Sequence, residues 1–285
     1  MRPVAIVSKP QKEELATLLP ELVLWMQTHG LEPILDPVSG NYAPSARVVP
    51  RHLMPAENPE LVIVLGGDGT LLAAARVFAK TATPILSVNL GSLGFLTEVR
   101  LSDLYSTLEG WCRNCFVIDS RFMLHAELWR GEELISEHEA LNDVVVAKGA
   151  IARMGNFRVS LDGQLAAIFR ADGVIVATPT GSTAYSLAAN GPILAPDVDA
   201  LIVSPVCPHL LTLRPMVVRG DARLAVGVEG IPDQTFLTVD GQEAIALKVG
   251  DELRCRRSDH SVKLLRLGAA GFFDVLRSKL KWGER

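Results

Sequence analysis

Apolar runs of strand length and longer helix-like segments alternate through residues 1–118. Val4–Val7 and Leu61–Leu65 are unbroken apolar runs, as expected for short strands that are buried on both faces. Gln11–His29 and Leu71–Phe78 are rich in helix formers and predict helices. Strands that alternate with helices in this way are typical of an α/β domain with an open, mostly parallel sheet.

The remaining segments of this first region fit the same pattern. Glu32–Asp36 and Pro84–Asn89 predict two more strands, and Ser102 is expected to cap a helix that runs to about Trp111. Asn41–Pro59 is rich in proline and predicts an irregular loop.

The pattern changes from about Phe122 onward. Val159–Ile168 and Thr235–Ala246 are each a pair of β-rich runs around an Asp-Gly dipeptide, which is the strongest short hairpin signal. An all-β domain is therefore predicted over residues 119–267, with one helical interruption near Ser182–Ala189. Further strands are expected at Phe122–Trp129, Leu141–Val146, Gly173–Ala177, Leu224–Val228, Leu253–Arg256 and Val262–Leu267.

The segment 268–285 is predicted to be a tail that returns to the first domain. Phe272–Leu280 has a helical pattern, and a lone amphipathic helix needs a surface against which it can bury its apolar face.

Composition narrows the classes of protein. The chain has 285 residues, of which 48% are hydrophobic and 21% charged, as expected for about two folded domains. The net charge is -4 and no long stripe of lysine and arginine is present, which disfavours a nucleic-acid partner. The apolar stretch at the start is too short for a signal peptide, and no run reaches the ~18–20 residues of a membrane helix. We therefore expect a cytoplasmic protein without a membrane partner.

Cysteine and histidine spacing predicts no metal centre. Cys112 and Cys115 form a C-x-x-C pair, but Cys207 and Cys255 are single, so the second pair of a zinc site is missing. We expect the first two to be half-buried thiols near a helix end. Four cysteines in this length do not make a disulfide framework, and the six histidines have no ligand-like spacing.

Gly66-Gly67-Asp68-Gly69-Thr70 lies between a predicted strand and a predicted helix. A glycine-rich turn in this position presents backbone N–H groups to an anion, and the helix dipole adds attraction. Asp68 is unexpected there, because a carboxylate is repelled by phosphates unless it takes part in chemistry or holds a metal. The alternative is a tight turn in which Asp68 only caps the helix. The turn has no lysine and does not fit the common phosphate loop.

A second glycine turn, Leu90–Phe95, follows the predicted strand Pro84–Asn89. Both turns stand at the carboxyl ends of predicted parallel strands, which is where open α/β sheets bind their ligands.

Four more motifs follow in order: Leu141-Asn142-Asp143, Arg170-Ala171-Asp172-Gly173, Thr178-Pro-Thr-Gly-Ser-Thr-Ala-Tyr-Ser186 and Leu276–Leu280. Together with Gly66–Thr70, these motifs resemble those of the NAD kinase family over Val4–Trp282. The glycine turn alone is shared with diacylglycerol-type lipid kinases and, more loosely, with phosphofructokinases, whereas the Thr178–Ser186 motif is much more specific. The resemblance implies an N-terminal α/β domain and a C-terminal β-sandwich.

The resemblance also implies an activity, namely phosphorylation of the 2′-hydroxyl of the adenosine ribose of NAD to give NADP. The donor would be ATP, another triphosphate or polyphosphate, with Mg²⁺ or another divalent cation delivered on the donor. A homo-oligomer, either a dimer or a tetramer, is implied as well. Asp68 matches the family's catalytic base. The positions that match NAD-binding residues of the family are Asp68, Gly69, Asn142, Asp143, Arg153, Arg170, Asp172, Thr183, Ala184, Tyr185, Ser186, Leu187, Ala188 and Gln242.

Particular roles follow from the same resemblance. Asn142 and Asp143 would hold the adenosine part, and the Asn142 amide suits an adenine edge because it offers a donor and an acceptor side by side. Arg170 and Asp172 would hold the nicotinamide end from a neighbouring subunit.

The chain departs from the family at three positions. Asp143 stands where the family has glutamate, Ala188 where serine is frequent, and Ser92 where many bacterial members have arginine.

Structural interpretations of the same residues remain open. Tyr185 can stack on a base or fill the core, and Arg170 and Asp172 can form a surface ion pair of small value. Asp143 can be an exposed residue at a strand end. Thr178–Ser186 can be only a polar connection, with Ser182 or Thr183 as a helix cap.

Two other functions remain as alternatives. A lipid or small-alcohol kinase would share the glycine turn but would need an apolar acceptor groove. A non-catalytic dinucleotide-binding regulator would have no use for the base Asp68.

Overall fold

The structure, a computed structural model, describes residues 1–91, 94–149, 154–229, 235–266 and 271–283. The chain forms two compact units, and the first unit is discontinuous. It contains Met1–Ser120 together with Val262–Arg285, and the second contains Arg121–Ser261.

Strands dominate the described residues. The strands are β1 (Arg2–Ser8), β2 (Leu31–Leu35), β3 (Arg47–Val48), β4 (Leu61–Gly66), β5 (Pro84–Asn89), β6 (Val99–Arg100), β7 (Val117–Arg130), β8 (Glu133–Ala140), β9 (Asp143–Lys148), β10 (Gly155–Leu161), β11 (Gln164–Ala171), β12 (Gly173–Ala177), β13 (Ala200–Val206), β14 (Met216–Arg219), β15 (Leu224–Glu229), β16 (Thr235–Val239), β17 (Glu243–Ala246) and β18 (Asp251–Arg266). The α-helices are α1 (Leu15–Thr28), α2 (Pro37–Gly40), α3 (Asp68–Phe78), α4 (Leu104–Cys112), α5 (Tyr185–Ala188) and α6 (Phe272–Leu280). Three 3₁₀ turns accompany them at Arg51–Glu57, Leu101–Asp103 and Thr180–Thr183.

The first unit is built on a parallel sheet with the strand order β3-β2-β1-β4-β5. The final residues of β18 extend it, because Lys263 and Leu264 pair in parallel with Pro84 and Ile85. All six residues of β4 are buried, as its unbroken apolar run requires. The core includes the buried face of α1, with Leu15, Leu19, Leu22 and Met26 at helical spacing. The predicted α/β class is confirmed.

Three local predictions in this unit are wrong. The helix expected from Gln11 begins at Leu15, because Gln11 has a φ of 57° and thus lies in the left-handed region. Asn41–Pro59 is not wholly irregular, since it contains β3 and the 3₁₀ turn Arg51–Glu57. Ser102 does not cap α4; its hydroxyl donates to Asp103 Oδ1, and Asp103 occupies the cap position.

The second unit is an antiparallel β-sandwich. One sheet has the order β14-β13-β12-β9-β16-β17, and the other has the order β11-β10-β15-β18. The hairpin of β7 and β8 adds to the second sheet through β18. Inward-facing residues of both sheets form one apolar core, in which Phe157 and Phe169 pack with ring centroids 6.1 Å apart. This confirms the expected C-terminal sandwich.

Both predicted hairpins are present. Asp162 and Asp240 each have a φ of 49°, as the turns between β10 and β11 and between β16 and β17 demand. Two expected strands, Leu253–Arg256 and Val262–Leu267, belong to the single strand β18 as far as Arg266, and Leu267 lies outside the described residues. The pattern did not predict β8, β13 and β14.

The tail helix α6 has the predicted bounds and belongs to the first unit, where Val275 and Leu276 are buried. Asp274 accepts a hydrogen bond from the N–H of Gly271 at 3.0 Å and so closes the first turn. All four cysteines are free; Cys112 is half-buried as expected, whereas Cys115 is exposed. Within the described ranges, no helix is both long and apolar enough to cross a membrane.

Candidate active site

The glycine turn lies at the carboxyl end of β4, as predicted. Gly66 is the last residue of β4, Gly67 is the extended N-cap, and Asp68 opens α3. Gly66 pairs with Asn89, the last residue of β5, so the two glycine turns leave neighbouring strands side by side. Asp68 is half-buried and Gly69 is exposed, which leaves this edge of the first unit open to a ligand.

The carboxylate of Asp68 is held by the segment that follows the second glycine turn. Oδ2 accepts the N–H of Phe95 at 2.9 Å. Oδ1 accepts the N–H of Leu96 at 3.2 Å, and both the N–H and the hydroxyl of Thr97 at 3.0 Å. The interpretation of Asp68 as only a helix cap is therefore wrong, because its side chain bonds to another loop and not to the first turn of α3.

Close packing fixes this arrangement. A Cβ at Gly94 would lie 2.0 Å from Asp68 Oδ1, so the loop approaches the carboxylate as closely as only glycine allows. Asn89 Nδ2 donates to the Thr97 hydroxyl at 2.9 Å, and Asn89 Oδ1 accepts the N–H of Gly91 at 2.6 Å. Thr97 is fully buried and Asn89 is 7% exposed, so these bonds are shielded from water.

In the second unit, Asn142 and Asp143 stand at the beginning of β9. The buried carboxylate of Asp240, at the tip of the β16–β17 hairpin, accepts the N–H groups of Leu141, Asn142 and Asp143 at 2.8–3.2 Å. The Asp240 N–H in turn donates to the Asp143 carbonyl at 2.9 Å. A hairpin tip therefore fixes the backbone that presents Asn142.

The motif Thr178–Ser186 folds over the same backbone. Thr178 Oγ1 donates to the Leu141 carbonyl at 2.6 Å and accepts the Gly181 N–H at 3.1 Å. A Cβ on Gly181 would lie 2.1 Å from the Asn142 carbonyl oxygen, so glycine is required by close approach. Asn142 Oδ1 is buried and has no hydrogen-bond partner among the described residues, which leaves one acceptor available for a ligand.

Asp143 is 4% exposed, so the interpretation of this residue as an exposed strand end is wrong. Burial, together with the nearby negative charge of Asp240, raises the pKa of its carboxyl group to about 7. A hydrogen bond from the backbone of Tyr185 acts in the opposite direction. This carboxyl group therefore changes charge near neutral pH.

The short helix α5, which begins within the motif at Tyr185, has one exposed face and one buried face. Tyr185 is 45% exposed, so it does not fill the core, and Ala188 is exposed as well. Ser186 is buried and shares a hydrogen bond with Ser204 at 2.9 Å. Neither Ser182 nor Thr183 caps α5; Ser182 Oγ instead accepts the Leu194 N–H at 3.0 Å.

Arg170 and Asp172 do not pair with one another in the described residues. Asp172 forms an ion pair with Lys148 at 3.1 Å, whereas Arg170 projects from β11 as an exposed side chain. Gln242 is exposed in the β16–β17 turn. Arg153 and Ser92 lie outside the described residues.

Comparisons with known proteins cover both units of the chain. Residues 4–114 match the family described as the ATP-NAD kinase N-terminal domain, and residues 141–267 match the ATP-NAD kinase C-terminal domain. The chain belongs to the ATP-NAD kinase family. It is 71% identical over 285 residues to the NAD kinase of Acidobacterium capsulatum, with all of both chains covered. It is 53% identical to the NAD kinase of Koribacter versatilis over the same length, again with full coverage.

Solved structures of NAD(H) kinases share the fold. The yeast NADH kinase structure with NADH superposes with a TM-score of 0.92 at 24% identity, over 100% of this chain and 89% of the other. The NAD kinase of Archaeoglobus fulgidus with ATP gives a TM-score of 0.76 at 22% identity, over 98% of each chain.

For this member of the NAD kinase family, the structure places the predicted site residues in two groups. Asp68 and Gly69 belong to the first unit. The others within the described residues belong to the second unit, where Asn142, Asp143 and the Thr178–Ser186 motif share one hydrogen-bonded backbone.

Several supporting residues escaped prediction. Thr97 and Asp240 bond directly to predicted site residues, and Asn89 bonds to Thr97. Buried Arg121 donates to Thr180 Oγ1 at 3.2 Å. Asn89 and Asp240 are polar residues next to glycine turns, and this position was the sequence signal that could have indicated them. Nothing in the local pattern distinguishes Arg121, because its partner is 59 positions away.

The β7–β8 hairpin gathers His125, Glu127 and Glu137, with one ligand atom of each within 4.8 Å of the others. Spacing along the chain missed this group because it assembles across two strands, where His125 faces Glu139 and Glu127 faces Glu137. Surface carboxylates commonly gather without an ion, and we assign no metal to this group.

Proposed function

We propose that this chain transfers a phosphoryl group to the 2′-hydroxyl of the adenosine ribose of NAD and so produces NADP. The observation that carries the proposal is the carboxylate of Asp68, fixed by the Phe95–Thr97 segment at the open carboxyl edge of a parallel sheet. Membership of the ATP-NAD kinase family supports the choice of substrate and of ATP as donor.

Asp68 acts as the general base. A ribose hydroxyl is a poor nucleophile because its pKa lies far above 7, so a carboxylate that takes its proton during attack lowers the barrier. The hydroxyl oxygen then forms a bond to the terminal phosphorus of the donor, and the bond from that phosphorus to the leaving oxygen breaks. The proton stays on Asp68 until the product departs.

Asn142 and Asp143 bind the adenosine part of NAD in this proposal. The buried acceptor Oδ1 of Asn142 is left for the exocyclic amine of adenine, because no described protein group fills it. Asp143 accepts a ribose hydroxyl when it is ionised, and Tyr185 offers an exposed ring on which a base can stack.

The remaining predicted ligands are assigned to the same molecule. Gly69 lies at the dinucleotide phosphates, whereas Arg170, Asp172 and Gln242 contact other parts of NAD. The short segment Thr183–Ala188 lines the base pocket. Arg153 is assigned to NAD binding on the basis of its sequence match alone.

The divalent cation, Mg²⁺ or a similar ion, fits this site as a partner of the donor. Asp68 is the one carboxylate of the turn Gly66–Thr70, and its two oxygens already accept four hydrogen bonds, so the turn alone offers too few ligands for a protein-held cation. When bound, the cation neutralises charge on the donor phosphates.

One assay tests the proposal directly. The purified protein is incubated with ATP, Mg²⁺ and NAD, and NADP is measured with an NADP-specific dehydrogenase; parallel reactions contain polyphosphate as donor or NADH as acceptor. Formation of NADP is expected. If no donor yields product, or if diacylglycerol is phosphorylated and NAD is not, the proposal is wrong.

The active form is proposed to be a cytoplasmic homo-oligomer, either a dimer or a tetramer. Arg170 is exposed and Asp172 already pairs with Lys148, so Arg170 is available to a ligand held by another copy. Light scattering at the assay concentration is expected to show an oligomer, and Arg170→Ala is expected to weaken NAD binding. A fully active monomer would contradict the assignment.

A further inference from the structure

The Asp68 carboxylate receives its hydrogen bonds unequally. Three donors converge on Oδ1, namely the Leu96 N–H, the Thr97 N–H and the Thr97 hydroxyl, at 3.0–3.2 Å. Oδ2 accepts only the Phe95 N–H, at 2.9 Å, within the described residues. An ionised carboxylate has about four lone-pair sites, roughly two on each oxygen. Oδ1 is therefore saturated, whereas Oδ2 keeps one site for an incoming hydroxyl.

The direction of the Thr97 hydroxyl is fixed by its neighbours. Asn89 Oδ1 accepts the Gly91 N–H, which orients the amide so that Nδ2 points at Thr97 Oγ1. An amide nitrogen only donates, so the Thr97 oxygen must accept this bond. The hydroxyl proton is then directed at Asp68 Oδ1, its acceptor 3.0 Å away.

We propose that Thr97 is a positioning residue, which holds Oδ1 of Asp68 so that Oδ2 is the oxygen that receives the proton of the acceptor hydroxyl. The proposal rests on the proposed role of Asp68 as base. Thr97 acts through Asp68 and contacts no substrate. Its complete burial keeps water from replacing the hydroxyl, so the carboxylate is aligned before substrate arrives.

Three variants separate positioning from mere stability. Thr97→Val removes the hydroxyl at nearly constant volume and keeps the backbone N–H, whereas Thr97→Ser restores the hydroxyl. Thr107→Val is the matched control, since Thr107 is 1% exposed and its hydroxyl donates to the Asp103 carbonyl at 2.6 Å. We measure kcat, KM for NAD and melting temperature for each variant.

Thr97→Val is expected to lower kcat about 10-fold to 10²-fold, with KM for NAD changed less than about twofold. Thr97→Ser is expected to restore most of kcat, and Thr107→Val to keep it despite a comparable loss of melting temperature. In an Asp68→Asn background, Thr97→Val is expected to lower kcat no further, because both residues act through one carboxylate.

Two results overturn the proposal. One is a Thr97→Val enzyme with kcat within about twofold of the parent; the other is a loss of kcat that is equally large in the Asp68→Asn background. Neither result contradicts the proposed function if the Asp68→Asn single variant has a lowered kcat. An Asp68→Asn enzyme with normal turnover would instead remove the base assignment.

Discussion

Two aspartates at strand ends, Asp68 and Asp143, have opposite surroundings. Asp68 follows β4 and receives four hydrogen bonds from the segment 95–97, so its negative charge is satisfied by donors. Asp143 begins β9, is almost fully buried and lies near the carboxylate of Asp240. The same side chain is thus held by hydrogen-bond donors in one unit, whereas in the other it is buried and titrates near neutrality.

In the proposed mechanism, these different surroundings suit two identical functional groups to two different roles. A base must be held in place when the hydroxyl arrives, which suits the four hydrogen bonds to Asp68. A group that only binds a sugar hydroxyl can act as acceptor or as donor, and a carboxyl group with a pKa of about 7 can do both.

The largest effect is expected for Asp68→Asn. The amide keeps the size of the side chain but cannot take a proton, so kcat should fall by ~10²–10⁴, equivalent to about 3–5 kcal/mol of barrier. The Kd for NAD, measured by calorimetry, should change far less. Near-normal turnover together with a lower melting temperature would indicate that the hydrogen bonds of Asp68 to residues 95–97 are structural alone.

Asp143→Asn is expected to stabilise the fold at high pH. The pKa is 3.8 in the ordinary state and about 7 in the folded chain, so the folded state binds this proton more tightly. The resulting stabilisation is complete below pH 3.8 and is lost as the pH rises through about 7. Asparagine does not ionise. As the pH rises from 4 to 8, the free energy of unfolding of the variant should therefore increase relative to that of the parent, by up to about 4 kcal/mol.

Urea unfolding at several pH values measures this gain. Asp221→Asn serves as control, because its side chain is 71% exposed and it loses one negative charge and only a solvent-exposed ion pair with Arg219. A stability difference between Asp143→Asn and the parent that does not vary with pH would contradict the raised pKa of Asp143.

Gly94→Ala tests the close approach on which the Asp68 geometry depends. The new methyl carbon would lie 2.0 Å from Asp68 Oδ1 and must displace the carboxylate. A misplacement of about 1 Å can cost roughly 10²-fold in kcat. Gly227→Ala is the matched control, because its Cβ would meet nothing nearer than 3.8 Å. Equal kcat values for the two variants would show that the carboxylate tolerates displacement.

The smallest effect is expected for Asn142→Ala, which removes the buried acceptor Oδ1. Loss of one or two hydrogen bonds should raise the Kd for NAD about 10-fold, with kcat at saturating NAD nearly unchanged. A dinucleotide with hypoxanthine in place of adenine should bind the parent more weakly than NAD, and the variant should no longer distinguish the two. Asn156→Ala, at an exposed position of β10, is the control. Unchanged discrimination would place adenine elsewhere.

Much of the fold was predictable because its signals are local. The buried strands of the first unit are apolar runs, and the Asp-Gly turns of the second unit require a left-handed conformation that few residues adopt. The strand β8 was missed because it is rich in charged residues and is stabilised by pairing with β7. Pairing with β7 thus gives this segment a strand conformation that its composition does not favour.

The sequence predicted the residues of the candidate site, but it did not predict the residues that hydrogen-bond to them. Asp68 and Asn142 stand in recognisable motifs, but Thr97 and Asp240 reach them from 29 and 98 positions away. Hydrogen bonds of this range leave no periodic trace in the sequence. The raised pKa of Asp143 was unpredictable for the same reason, since it depends on burial and on Asp240.

The pairing of β18 with β5 has a consequence for the order of folding during synthesis. Pro84 and Ile85 leave the ribosome early, but their neighbours Lys263 and Leu264 are made only after the entire second unit. The N-terminal unit is therefore begun first and completed last. Val88 and Asn89 can pair with β6, but Pro84 and Ile85 lack a partner on that edge of β5 until the second unit, about 140 residues, has been made. In a nascent chain, the parallel sheet thus cannot be completed until the whole second unit has been synthesised.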